Sequence, residues 1–156
     1  MANSIKWSLR EGRESDLAVL TALAEKFYTE SVFPGLNGDF DTAAVQKEIL
    51  AYLDLPNDKA VVVIAEIEDE VVGCLICGHV YHRLFKDKTV ATEPMWYVLP
   101  RLRGSRLGLE LLKVYEEWAK ATGCFAVITG SISEKNDKLL KKLGYTETGR
   151  EFIKVL

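Results

Sequence analysis

Residues 93–118 read EPMWYVLPRLRGSRLGLELLKVYEEW. An apolar strand runs into Pro100, a short turn carries Gly104 and Gly108, and a helix follows, with Leu107, Leu111, Tyr115, Trp118 and Ala119 recurring as one buried stripe. A strand, a turn and a helix in this order form a natural phosphate site. The first N–H groups of a helix lack internal partners, and the helix dipole places partial positive charge at the same point. Glycine lets a diphosphate come close to the backbone. Arg101, Arg103 and Arg106 add fixed positive charge around it. A P-loop would require Lys-Ser/Thr after its last glycine, and a dinucleotide fingerprint would require G-x-G-x-x-G in the first β-α unit. Neither pattern is present.

Working outward, Pro100 ends a strand that begins near Thr89, because proline donates no ladder hydrogen bond. Upstream, 60–67 and 71–81 alternate as a hairpin around the acidic turn EDE. The chain opens with a strand on which Ile5, Trp7 and Leu9 alternate with polar residues. A helix capped by Ser15 follows, with Asp16 in its first turn and Leu17, Leu20, Leu23, Ala24 and Phe27 as its apolar stripe. SVFPGLNGDFD is a loop, and a second helix covers 42–53. Downstream of the helix that starts near Gly104, Gly123 is a left-handed stop. CFAVIT (124–129) is a short apolar strand, expected in the middle of the sheet with both faces covered. A short helix over 135–143 closes at Gly144, and 145–155 supplies one or two last strands. The predicted class is a single α/β (α+β) domain over 1–156. Its order is β-α-α-β-β-β-α-β-α-β, a mixed, mostly antiparallel sheet with helices on both faces.

The 156 residues fit one domain, and 20 basic against 23 acidic side chains give a net charge of −3. That balance argues against a nucleic-acid partner, whose phosphates favour a basic surface. No apolar stretch reaches membrane-spanning length. Cys74, Cys77 and Cys124 are an odd set. Cys74 and Cys77 lie three apart on a strand and so face opposite ways, which disfavours a shared metal, and the three read as reduced core residues of a cytoplasmic protein.

The pattern V-L-P-x-x-R-G-x-x-x-G resembles motif A of the GNAT acetyltransferases, usually written Q/R-x-x-G-x-G/A, with Arg101, Gly104 and Arg106 at its defining positions. Lys142-Leu143-Gly144-Tyr145 is similar to the K-x-G-F/Y that opens the last strands of many members, and the resemblance extends over nearly the whole chain. The wording of residues 93–106 is also similar to small acetyltransferase-like proteins of tailed bacteriophages.

The resemblance implies acetyl-CoA as the acyl donor and a primary amine, on a small molecule or a protein, as the acceptor, with a homodimer as a common state. Pantetheine would lie in a V between two splayed parallel strands, along the backbone of Trp96, Tyr97 and Val98. The pyrophosphate would sit on the turn of Arg103, Gly104, Ser105, Arg106, Leu107 and Gly108. Two positions depart from the family pattern. Arg106 replaces a small residue, and Leu140 stands where many relatives carry the tyrosine that protonates the thiolate.

Glu93 is the preferred base, against the plainer reading of a solvated strand-end glutamate. The N–H of Tyr97 or Val98 is the oxyanion donor. Tyr97, Ser133 and Tyr145 are candidate proton donors, and His79 and His82 alternative bases. Phe33, Trp96 and the loop 34–38 are candidates for shaping an acceptor pocket. A GNAT scaffold acting through a partner, without catalysis, is the alternative reading.

Overall fold

The computed structural model describes residues 6–156. Five strands form one sheet in chain order: β1 (Ser8–Glu11), β2 (Ala60–Ile67), β3 (Glu70–Tyr81), β4 (Thr89–Val98) and β5 (Ala126–Ile128). The first three pairings are antiparallel, and β4 with β5 is parallel. Helices α1 (Leu17–Glu30) and α2 (Thr42–Asp54) cover one face; α3 (Leu107–Ala121) and α4 (Glu134–Lys142) belong to the other. The element order follows the sequence expectation through α4.

Each face has its own core. Leu75, Cys77 and Ala91 pack with Leu107, Leu111 and Tyr115 of α3, whereas Cys74, Ile76 and Tyr97 pack with Leu20, Leu23 and Ile49 of α1 and α2. Cys74 and Cys77 therefore do fall on opposite faces, as the period of a strand requires. Burial pushes the Cys74 and Cys77 thiols up to about 12, so both remain neutral. The β2–β3 hairpin turns through Glu68 and Asp69, both at positive φ, the two-residue geometry that matches strand twist. Gly123 follows α3 at φ 79° as a left-handed stop.

The structure corrects several local expectations. Ile5 lies outside the described residues. Ser15 does not cap α1. Asp16 stands at the N-cap position but makes no side-chain bond to α1; its carboxylate closes the preceding 3-10 turn (Glu14–Asp16) by accepting the Arg13 N–H at 2.8 Å, and Arg10 grips it with two bonds of 2.8 Å. Helix α3 begins at Leu107, not Gly104, because Gly104 takes φ 90°, outside the helical region.

β5 is an edge strand of three residues, and not the middle of the sheet: β4 is its partner, and Phe125 and Ile128 are partly exposed. The expected last strands at 145–155 do not form. Tyr145 packs on the α3 core and donates to Glu116 at 2.7 Å. Beyond it Glu147 pairs with Lys141 of α4 and with Arg150, and Phe152 and Ile153 stay exposed. The run TETGRE carries no apolar alternation to set a register, and local ion pairs satisfy it instead.

Candidate functional site

β4 and β5 pair at Val90–Ala126, Ala91–Val127 and Thr92–Ile128, and then separate. At the parting, β4 sets both Glu93 and Pro94 opposite Cys77, a bulge visible as the register change between Ile76–Met95 and Gly78–Thr92. Beyond it, β4 continues along β3 alone, leaving its other edge free. The Leu99 N–H bonds to Val72 on β3 at 2.9 Å, so by ladder alternation Tyr97 also turns its N–H to β3. The N–H groups of Trp96 and Val98 then face the open V. Of the two backbone donors considered from sequence, the geometry favours Val98.

The turn 100–108 lies directly beyond this open edge. Ser105 Oγ accepts the Leu107 N–H at 3.2 Å. The N–H groups of Arg106, Gly108 and Leu109 have no acceptor among the described residues, as expected for a helix start. Gly108 packs against β4: a Cβ there would meet the Trp96 ring at 3.7 Å and Val98 at 4.0 Å. Leu107, by contrast, is buried in the α3 core and offers only backbone. The three arginines differ. Arg106 is exposed and makes no ion pair among the described residues, so it is free for an anion. Arg101 pairs with Glu70 at 2.5 Å. Arg103 donates to Glu30 at 2.6 Å and to the Val98 carbonyl at 3.0 Å, and lies over the Tyr97 ring. Arg103 therefore ties the turn to α1 and β4 and is not a free phosphate ligand.

Glu93 sits at the apex of the V. Its Oε1 accepts Thr129 Oγ1 at 2.5 Å and the Gly130 N–H at 3.0 Å, so it spans the gap between the strands. Burial raises its carboxyl above the usual range, and the two hydrogen bonds oppose the shift. It is thus neither a simple solvated glutamate nor a residue of the α1/α2 face. Cys77 and Tyr115, which feel its charge, belong to the α3 side.

Tyr97 points the other way and donates to Glu30 at 2.5 Å; burial and that carboxylate push its phenol up to about 12. The remaining candidates are not brought to the V. His79 bonds Thr122 at 2.7 Å beside Trp118, and His82 stacks with Phe85 in the connector. Ser133 caps α4 by accepting the Asn136 N–H, Tyr145 is held by Glu116, and Leu140 is buried.

On the α1/α2 face the bulge adjoins a cavity of about 270 Å³. Phe27, Ile49, Ile76 and Met95 line it, with Phe33 and Phe40 from the segment between α1 and α2. Phe33 thus lines a cavity, whereas Trp96 faces the opposite core. Sequence reasoning missed Glu30, Thr129 and Glu48. Only the spacing of Glu48 between Val45 and Ile49, on the α2 stripe, hinted at its position.

The chain matches the model of the Acetyltransferase (GNAT) family over residues 20–145. An uncharacterized N-acetyltransferase of Archaeoglobus fulgidus is 35% identical over 65 residues, 42% of this chain and 44% of that relative, so the match spans less than half of its length. Among solved structures, the aminoglycoside acetyltransferase AAC(6')-Iy in complex with a CoA-linked acetylneamine analogue superposes with a TM-score of 0.74 at 17% identity, covering 97% of this chain and 98% of that one. Glucosamine-6-phosphate N-acetyltransferase from Arabidopsis thaliana gives 0.73 at 17% identity over 96% and 98%. At such identities these likenesses speak for the fold.

Proposed function

Because the chain belongs to the GNAT acetyltransferase family, we propose that it transfers an acetyl group from acetyl-CoA to a primary amine by direct attack in a ternary complex. The observation that carries this reading is the open β4 edge, which ends at a helix start with unpaired N–H groups and a free arginine. Acetyl-CoA supplies the activated acyl thioester. Arg106, with the N–H groups of Gly108 and Leu109, suits its pyrophosphate, and the Trp96 backbone suits an amide of pantetheine. The Val98 N–H is the donor for the thioester oxygen, an interaction worth roughly 3 kcal/mol where such donors are preorganised. Glu93, with its raised pKa, accepts the ammonium proton. A C–N bond forms as the C–S bond breaks. Tyr97, bound to Glu30, is a poor proton source, so the thiolate, with a thiol pKa of about 8.5, takes its proton from solvent.

We assign the reaction to the cytoplasm on the three free cysteines, two of them buried. Among the described residues no helix is long and apolar enough to cross a membrane. A bacteriophage source rests on the wording of residues 93–106 alone.

Melting the protein with acetyl-CoA, and with ATP as control, tests the reading. A ligand at one hundred times its dissociation constant adds about 2.7 kcal/mol, and Gly104→Glu, strained at φ 90° and opposed to the pyrophosphate, should abolish the shift. An equal shift with ATP, or none with acetyl-CoA, would refute it. The buried Leu140, which supplies no hydroxyl, favours as a second reading a non-catalytic CoA-binding scaffold. Turnover of any amine removes it.

A further inference from the structure

We infer that Thr129 is a positioning residue of the transfer: with the Gly130 N–H it anchors one carboxylate oxygen of Glu93, so that the other alone is presented to the acceptor amine. The inference rests on the reading of Glu93 as the base and deepens it. The backbone ladder between β4 and β5 ends at Thr92–Ile128. Glu93 and Thr129 are the next residue on each strand, and there a side-chain bond takes over from the ladder. Both bonds land on Oε1: Thr129 Oγ1 donates at 2.5 Å and the Gly130 N–H at 3.0 Å. Oε2 accepts no bond among the described residues. No buried side-chain oxygen or nitrogen among them lacks a partner, so Oε2 keeps access to solvent. A carboxylate with one oxygen fixed and one open is set for proton transfer in a single direction.

Thr129 is itself held from the α3 core. Tyr115, fully buried on α3, donates its hydroxyl to the Ile128 carbonyl at 2.9 Å and accepts the Ile128 N–H at 3.3 Å. That fixes the backbone one residue before Thr129 and gives the anchor a rigid mount. The anchor also bears on charge. Burial favours the neutral carboxyl, and the two bonds to Oε1 favour the carboxylate. The titratable groups that feel the Glu93 charge are Cys77 on β3, Tyr115 on α3 and Tyr145 after α4, which donates to Glu116. Burial pushes all three up, so they stay neutral where Glu93 titrates, and the anchor is what a substitution can change.

The test reads the carboxyl directly and the rate beside it. Carbon-13 NMR of glutamate-labelled protein follows the Glu93 carboxyl, identified by its loss in Glu93→Gln. Thr129→Val removes the hydroxyl and keeps the shape, so Glu93 should titrate at higher pH than in the unaltered protein. Thr129→Ser keeps a donor and should leave that titration in place. Rates are taken with acetyl-CoA and the fastest of spermidine, neamine and 2-phenylethylamine. Thr129→Val should lower kcat/KM about tenfold at about pH 6, and less at about pH 9, where the carboxyl is ionised in either protein. In a Glu93→Gln background the same change should cost less than about twofold, because no base is left to position. The acetyl-CoA melting shift should stay. Thr129→Ala serves the same purpose should Thr129→Val fail to fold. An unmoved Glu93 titration, Thr129→Ser as damaging as Thr129→Val, or an equal loss in both backgrounds would overturn the assignment. Full activity of Glu93→Gln would strike instead at the base, and no turnover of any amine at acetyl transfer itself; the titration would still decide the anchor.

Discussion

The two faces of the sheet are built on different principles. On the α3 side the core is tight, with Leu107, Leu111 and Tyr115 fully buried, and the proposed donor site is made of backbone: an open strand edge and a helix start. On the α1/α2 side the core holds a cavity, made of side chains that leave a gap. The difference teaches why one family can keep one donor and vary its acceptors. A site of N–H groups survives most side-chain substitutions, whereas a gap changes its shape with each one.

The largest expected contrast is in stability. Leu111→Ala removes a fully buried side chain from the dense face and should cost about 4 kcal/mol. Ile49→Ala removes one that already borders a cavity, so fewer contacts are lost and the cost should stay near 2 kcal/mol. Urea unfolding of both variants measures the gap, and equal losses would mean that the two faces are packed alike.

A second contrast concerns which face takes the proton. Glu93 belongs to the α3 side, yet it reaches the apex of the V through Thr129 and Gly130. Glu93→Gln keeps an oxygen to accept both bonds and loses the basic site, so kcat/KM should fall about 100-fold, or about 2.7 kcal/mol. In the unaltered enzyme the rate should decline as pH drops through a carboxyl pKa above the usual value of about 4.3, and the substitution should flatten that limb. A fall of only a few-fold with the limb intact would reduce Glu93 to a brace between β4 and β5.

The sequence was most readable where backbone and periodicity decide. The strand-turn-helix of 93–118, the hairpin and the opposite-facing Cys74 and Cys77 follow from spacing alone, and Gly123 follows from the need for a left-handed stop. What escaped depends on partners distant in the chain. Glu30 lies at the end of α1, yet it claims both Arg103 and Tyr97, so three similar arginines in one turn have three different fates. The cavity is a negative feature, the space that Ala24 and the aromatics do not fill, and no pattern of residue types reports unfilled space. Residues 145–155 look extended by composition, but a strand requires a partner edge, and three residues of β5 followed by Gly130 offer little ladder.

A polar fastening ties the looser face to the sheet edge, and its removal is the smallest effect expected. Arg10 on β1 bonds Asp16 twice at 2.8 Å and Glu66 on β2 at 2.6 Å, tying the start of α1 to the sheet edge. The Arg10 guanidinium holds the Asp16 carboxyl below its ordinary value. Folded Asp16 therefore binds its proton more weakly than the unfolded residue does. Its contribution is complete above the unfolded pKa of about 3.9 and is lost as pH falls through the lower folded value. Asp16→Asn should lower stability by about 1.5 kcal/mol at pH 7 and by progressively less below pH 4, where the unaltered protein gives up the same interaction. Melting curves at pH 7 and across the acid range would show the two proteins converging. Parallel curves would assign the fastening to Glu66 and leave Asp16 only closing the turn before α1.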